Sequence, residues 1–324
     1  MKRLVLLALL GLSLLAGCNG IKVNKTLLQM VVSASNKVST DSAYADSLEK
    51  RIGVPYVPDG TPSQVVDIYY APKDIRRDAV LIDIHGGFYV AGKRQNNRKF
   101  ASVFLREGYD VVLLEYRVND GTLDVSAGLG DCAAALDYLA VNAGKLGLNA
   151  HMMFLTGDSA GGHLALYLAE GASDKSLPVR PEKFKPRGVL LNCPAYDFAS
   201  FANGESFTKD ALAWFMGPRY EDKAYLESLS PKTFLKSYTG PLFVSTCTRD
   251  FIRGESLKLK ADCDSLGRGI TFIDIPSDDR KVGHVHNVVS LDLPESREVN
   301  GKMLEFLQSS GRADGSGPAG KVQF

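Results

Sequence analysis

Residues 156–163 read Thr-Gly-Asp-Ser-Ala-Gly-Gly-His and follow the apolar run Met152-Met153-Phe154-Leu155. A serine between glycines, placed where a strand-like run gives way to a helix-like one (Gly162–Ala169), has the Gly-x-Ser-x-Gly spacing of a nucleophile elbow. Small residues at Gly157, Ala160 and Gly161 let neighbouring chain approach a strained turn without a clash. Ser159 is the candidate nucleophile, and acyl transfer the candidate chemistry. A serine hydroxyl attacks poorly at neutral pH, so it needs a base to take its proton and a carboxylate to orient that base.

Where a serine sits on such an elbow, its partners follow it along the chain in the order Asp or Glu, then His. The chain has five histidines: His85, His151, His163, His284 and His286. The first three precede the last strands or begin the helix behind the serine, which leaves His284 and His286 in Gly283-His284-Val285-His286-Asn287. That loop follows the strand-like Ile270–Ile275, where the last loop of a parallel sheet should carry the base. For the acid, Asp250 follows the strand-like Pro241–Cys247, at the carboxyl edge that faces the elbow.

A second glycine motif lies upstream. His85-Gly86-Gly87-Phe88 follows the strand-like Ala79–Ile84 and resembles the oxyanion loop of lipases and esterases. Backbone N–H groups converging on a carbonyl oxygen stabilise the charge that develops there by about 2.7–4 kcal/mol per donor. The resemblance implies an oxyanion hole at Gly86, Gly87, Phe88 and Ala160, with the N–H groups of Gly87, Phe88 and Ala160 as donors.

Together these residues resemble the α/β-hydrolase superfamily and, within it, the bacterial esterases similar to hormone-sensitive lipase. The likeness runs from about Val65 to Leu307. It rests on His85-Gly86-Gly87, on Gly157-Asp158-Ser159-Ala160-Gly161-Gly162, on Asp250-Phe251-Ile252-Arg253 in place of the family's Asp-Pro-Leu stretch, and on His284. Glu115-Tyr116-Arg117 resembles the family's Asp-Tyr-Arg. Ser159, Asp250 and His284 are then the implied triad. Position favours His284, which aligns with the first residue of the family's His-x-Phe, and His286 in place of the Phe keeps the second histidine open as the alternative. Phe88 stands where many members have a third glycine, which implies a narrower or differently shaped acyl pocket. A His-x-His pair could also bind zinc, but no Cys or acidic cluster stands at ligand spacing around it; neither a metal nor another cofactor is expected.

The remaining pattern is that of an α/β fold with a mostly parallel central sheet flanked by helices. The runs Ala79–Ile84, Asp110–Tyr116, Met152–Thr156, Gly188–Cys193, Pro241–Cys247 and Ile270–Ile275 are almost continuously apolar, as strands covered on both faces must be. Helical periods fall at 131–139, where Cys132, Ala135, Leu136 and Leu139 share a face, and at Glu255–Leu266 and Pro294–Leu307. A helical segment is also expected near Lys25–Arg51. Residues of about 195–235, rich in aromatics and holding the lone tryptophan, Trp214, read as a small helical cap. Trp214 and Phe88 are the candidate substrate-binding side chains. Cys132, Cys193, Cys247 and Cys263 each lie in apolar context and read as buried free thiols.

At the amino end Lys2 and Arg3 precede the apolar run Leu4–Leu15 and then Leu15-Ala16-Gly17-Cys18, which resembles a bacterial lipobox. The run is shorter than the about 20 apolar residues of a membrane span. Residues 1–17 therefore read as a lipoprotein signal peptide, with Cys18 as the lipid-bearing residue of a protein anchored to a membrane of the bacterial cell envelope. Residues 18–64 read as a linker and cap helix, 65–308 as the catalytic domain and 309–324 as a disordered tail. Without Lys2 and Arg3, 36 of the 38 basic residues face 37 acidic ones, so no nucleic-acid partner is implied.

The expected function is that of a serine carboxylesterase acting on a small-molecule ester, with alkyl, aryl, acetylated-sugar and feruloyl esters all in the class. A peptidase or amidase on the same fold is the alternative within enzymes. Outside them stands a catalytically inactive binding lipoprotein, against which the full set of triad residues argues.

Overall fold

The computed structural model describes residues 42–120, 122–202, 212–214 and 216–311. An eight-stranded sheet is formed by β1 (Lys50–Pro55), β2 (Val65–Tyr69), β3 (Val80–Ile84), β4 (Asp110–Leu114), β5 (Met153–Asp158), β6 (Val189–Asn192), β7 (Leu242–Cys247) and β8 (Thr271–Ile275). Their order across the sheet is β1-β2-β4-β3-β5-β6-β7-β8. β2 runs antiparallel to both of its neighbours and every other pairing is parallel. The helices are α1 (Ala43–Ser47), α2 (Arg98–Arg106), α3 (Val125–Leu146), α4 (Ala160–Gly171), α5 (Phe198–Ala202), α6 (Lys223–Leu229), α7 (Pro231–Phe234), α8 (Arg253–Ser265), α9 (His286–Val289) and α10 (Pro294–Gly311).

The continuous apolar runs have a direct cause in this architecture. Successive strand residues point to opposite faces, and here both faces are buried. Ile82, Val112, Leu155, Leu191 and Val244 pack with α3 and α4 on one side, while Leu81, Val111, Phe154, Leu190 and Phe243 pack with α2 and α10 on the other. All six expected strands form, trimmed by one or two residues at some ends, except that β5 runs on through Gly157 to Asp158. The helix expected at 131–139 is the middle of α3, whose ends are set by the Asp124 carboxylate on the Ser126 N–H and by a left-handed Gly147.

Three expectations change. The helical segment expected over Lys25–Arg51 is, where described, only the short α1 followed by β1, so the sheet begins ahead of Val65. β1 escaped notice because it is a largely exposed edge strand, broken by an irregularity between Arg51 and Val54 where Gly53 takes φ +66°, and it carries no apolar alternation. β2, also unanticipated, pairs with it. At the other end α10 continues to Gly311, so residues 309–311 of the expected tail are helical. The expected cap is helical where described, through α5, residues 212–214, α6 and α7. Residues 1–41, which include the expected signal segment and Cys18, together with 121, 203–211, 215 and 312–324, lie outside the described residues.

Candidate active site

Ser159 occupies the turn between β5 and α4 with φ +53° and ψ −117°, a left-handed conformation that non-glycine residues hold only when their surroundings enforce it, at a cost of about 1–3 kcal/mol. The enforcement is visible. The Ser159 N–H donates to Asn192 O on β6 (2.8 Å), and Ser159 O accepts from His163 N (3.2 Å) and Ala195 N (3.3 Å). A Cβ on Gly161 would stand 1.9 Å from Ile84 O, so only glycine lets the elbow press against the end of β3. Ala160 is the first residue of α4, and its N–H therefore has no acceptor inside the helix.

The candidate base and acid lie in the loops that follow β8 and β7. His284 Nδ1 and Asp250 Oδ1 are 2.7 Å apart, and Asp250 also accepts from Thr246 Oγ1 (2.9 Å) and Ile252 N (3.0 Å). Burial pushes the Asp250 carboxyl up, but His284 and these donors outweigh it and hold it below the ordinary carboxylate range. Among the described residues, the buried Nε2 of His284 has no hydrogen-bond partner. His286 is different. Its ring is buried with Nδ1 3.0 Å from Ser296 Oγ, and desolvation lowers its pKa to about 4, so it is neutral and holds α9 to α10.

His163, just behind the serine, is likewise a structural group. It is fully buried, its Nε2 contacts Leu229 O at 2.7 Å, and burial lowers its pKa to about 4. It ties α4 to the end of α6, and its ring meets Phe198 of α5 and the edge of Tyr89. The insertion is thus packed directly onto the elbow helix and the glycine loop.

In that loop Gly87 has φ +125°, and a Cβ there would meet Ala91 O at 2.1 Å. Phe88 and Tyr89 follow at φ +55° and +61°, two consecutive strained non-glycine residues. The N–H of Gly86, a member of the expected oxyanion loop but not one of its expected donors, donates to Asp158 Oδ1 (3.1 Å), so Gly86 supports the loop. A Cβ on Gly86 would also lie 2.5 Å from Asp158 Oδ2.

Motif reading passed over Asp67, Asp83, Arg94, Asn97 and Asp131, which support this loop together with residues of the quoted motifs. Asn97 Nδ2 donates to both Asp83 Oδ2 (2.9 Å) and Asp158 Oδ1 (2.8 Å), bridging two buried carboxyls below the loop. Burial, with the neighbouring Asp158, pushes Asp83 up to about 8, so it carries a proton at neutral pH. His85 is buried, stacked on Tyr116 (4.4 Å between centroids), with Nδ1 2.7 Å from Gly86 O and Nε2 3.5 Å from Glu115 Oε1. Glu115 in turn takes Arg94 (2.9 Å), which also pairs with Asp67 (2.9 Å). The Tyr116 hydroxyl donates to His85 O (2.9 Å), and Arg117 pairs with Asp131 (2.7 Å). The Glu-Tyr-Arg triplet is therefore a buttress. Period-2 patterning could have flagged Asp83 as a polar residue inside a strand buried on both faces.

Phe88 is half-buried and stacks nearly parallel on Phe251 (5.8 Å between centroids, 10° between planes), and Phe251 lies 4.4 Å from the His284 ring. Trp214 is half-buried against the core that includes α3 and α4. Its carbonyl accepts from Asn119 Nδ2 (2.8 Å), and the Asn119 N–H donates to Tyr89 O (2.7 Å), which links the tryptophan's backbone to the glycine loop.

With this geometry in view, the comparison with known families is direct. The BD-FAE family model matches residues 66–254, more than half of the chain. The chain belongs to the BD-FAE family. It is 25% identical over 264 residues to carboxylesterase NlhH of Mycobacterium tuberculosis, covering 77% of this chain and 79% of that protein. To esterase LipQ of the same species it is 28% identical over 200 residues, 59% of this chain, and it spans only 47% of that longer relative. Among solved structures it matches esterase B from Lactobacillus Rhamnosis with a TM-score of 0.77 at 24% identity, over 87% of this chain and 92% of that one. The same esterase inhibited by a C4-C4 SN3 tributyrin phosphonate matches at 0.76 and 25% identity, over 90% and 97%. The fold is that of the α/β-hydrolases, which the chain shares with these esterases. Among the described residues no helix is long and apolar enough to cross a membrane.

Proposed function

We propose that this protein is a serine carboxylesterase that hydrolyses short-chain acyl esters through an acyl-enzyme on Ser159. The observation that carries the reading is the His284–Asp250 pair: Nδ1 is engaged by the carboxylate, and Nε2, without a partner among the described residues, is left to take a serine proton. In the proposed sequence Ser159 Oγ attacks the ester carbonyl while its proton passes to His284 Nε2. The resulting oxyanion lies against the N–H groups of Ala160, Gly87 and Phe88. Collapse breaks the C–O bond as His284 returns the proton to the departing alcohol. Water, deprotonated by the same histidine, then attacks the acyl-enzyme and releases the acid and Ser159.

The short-chain assignment rests on Phe88. Its ring occupies the place of a glycine in many related loops and stacks on Phe251 beside the base, leaving less room for a long acyl chain. Similarity to an ethyl acetate hydrolase of Pseudomonas putida, 26% identical over 218 residues, supports it, as does the tributyrin-derived inhibitor of the Lactobacillus esterase. Acetylated or feruloylated carbohydrates belong to the proposed class. Acetyl to butyryl p-nitrophenyl esters are expected to be the best substrates, with kcat/KM falling beyond about six carbons, since a pocket that rejects a methylene loses about 1–3 kcal/mol. The ester series on wild type and Phe88→Gly checks this; preference for octanoyl esters, or an unchanged length profile in the variant, refutes it.

The proposal extends to location. A lipobox ending at Cys18 after a run too short to span supports a protein held to the cell-envelope membrane by lipid on that cysteine. Mass spectrometry of membrane-extracted protein should find the mature chain beginning at a diacylated Cys18, and an unmodified start beyond Cys18 would mean secretion.

A further inference from the structure

Two thiols that take no part in the proposed reaction stand side by side at the carboxyl edge of the sheet. Cys247 ends β7 and Cys193 directly follows β6, with the Cys193 N–H donating to Ser245 O of β7 (2.8 Å). Both side chains are buried, and each reaches the turn that carries His284. Cys247 Sγ donates to Gly283 O (3.3 Å) and lies 3.6 Å from Val282 O; Cys193 Sγ accepts from Val285 N (3.3 Å). The residues immediately before and after the histidine are thus each held by a sulfur. The sulfur, carboxylate and imidazole ligand atoms of Cys193, Asp250 and His284 all lie within 4.8 Å of one another.

The turn needs holding. Val285 takes φ +51°, which a β-branched residue adopts only under constraint, and Cys193 itself takes φ +48°. A turn free to relax Val285 back to negative φ would swing the neighbouring imidazole away from Asp250. Burial, with the Asp250 charge beside them, keeps both thiols protonated, so they act as neutral hydrogen-bonding groups of unusually long reach.

We propose that Cys193 and Cys247 are positioning residues that clamp the 283–285 turn from both sides and so set the His284 ring against Asp250. This rests on His284 being the catalytic base. Imidazole misplacement by a fraction of an ångström to about 1 Å lowers the rate by up to about 100-fold without weakening substrate binding.

The test uses the full-length mature protein and p-nitrophenyl butyrate, with Cys193→Ala, Cys247→Ala and the matching serine variants. Each alanine variant is expected to lose about 10- to 100-fold in kcat with KM within about twofold, and each serine variant, which keeps a donor and an acceptor, to recover most of that loss. Alanine variants that fold and retain wild-type kcat, that lose only thermal stability, or that are not rescued by serine overturn the clamp. A second readout does not depend on ester turnover: the low-field Nδ1–H proton resonance of His284, identified by its absence in Asp250→Ala, should be broadened or lost in both alanine variants. An unchanged resonance in them overturns the clamp even if the wild type proves inactive toward esters, whereas inactivity of the wild type with loss of the resonance in the variants overturns only the catalytic reading.

Discussion

Ser159→Ala is expected to lower kcat/KM for p-nitrophenyl butyrate by about 10⁴-fold or more while the protein stays folded. The size follows from the chemistry: without Oγ there is no acyl-enzyme, and the loop donors and binding contacts alone recover only a small part of the acceleration. The fold should survive because the backbone bonds of the elbow, Ser159 N–H to Asn192 O and Ser159 O to the N–H groups of His163 and Ala195, do not involve the side chain. Labelling by a fluorophosphonate should vanish with the hydroxyl. Turnover that persists undiminished in a folded Ser159→Ala protein would falsify the mechanism.

The second large effect separates two histidines only two residues apart. His284→Ala should be nearly as damaging as loss of Ser159, and Asp250→Asn should fall on the severe side, since an amide holds the imidazole in the wrong tautomer. His286→Ala should cost far less in kcat/KM. Its ring faces Ser296 and is neutral with a pKa of about 4, so its removal opens a buried space between α9 and α10 and lowers Tm instead. The pH profile adds a sign. Asp250, held below the ordinary carboxylate range by His284 and its other donors, keeps its charge as pH rises and loses it only as pH falls through that lowered range. Activity should therefore be lost at low pH, and His286→Ala should leave the position of that loss unchanged. A reverse ranking of the two histidines would show that the base had been misassigned.

Much of this protein is legible in its sequence because the physics involved is local. A parallel strand covered on both faces has to be apolar at most positions, and β3, β4, β5, β6 and β7 are buried throughout. A nucleophile elbow has to surround its serine with small residues, and the 1.9 Å approach that a Cβ on Gly161 would make to Ile84 O gives the reason for one of them. The edge strand β1 was illegible for the converse reason: its residues face solvent, so nothing selects a pattern.

Only the tertiary structure decided matters that depend on which distant groups meet. Spacing left His284 and His286 one strand period apart; the left-handed Val285 turns one ring to Asp250 at 2.7 Å and the other into the α9–α10 contact. Gly86 reads as part of the oxyanion loop, and only folding brings in Asp158, on the neighbouring strand, to take its N–H. Asp83, Asn97 and Asp158 are far apart in the chain and become one network only because β3 and β5 pair in parallel. Residue type and local spacing determine what chemistry a chain can attempt, since nucleophile, base and acid are properties of side chains. Which of them are aimed, protonated or already spent is determined by burial and by partners that the chain brings together only on folding.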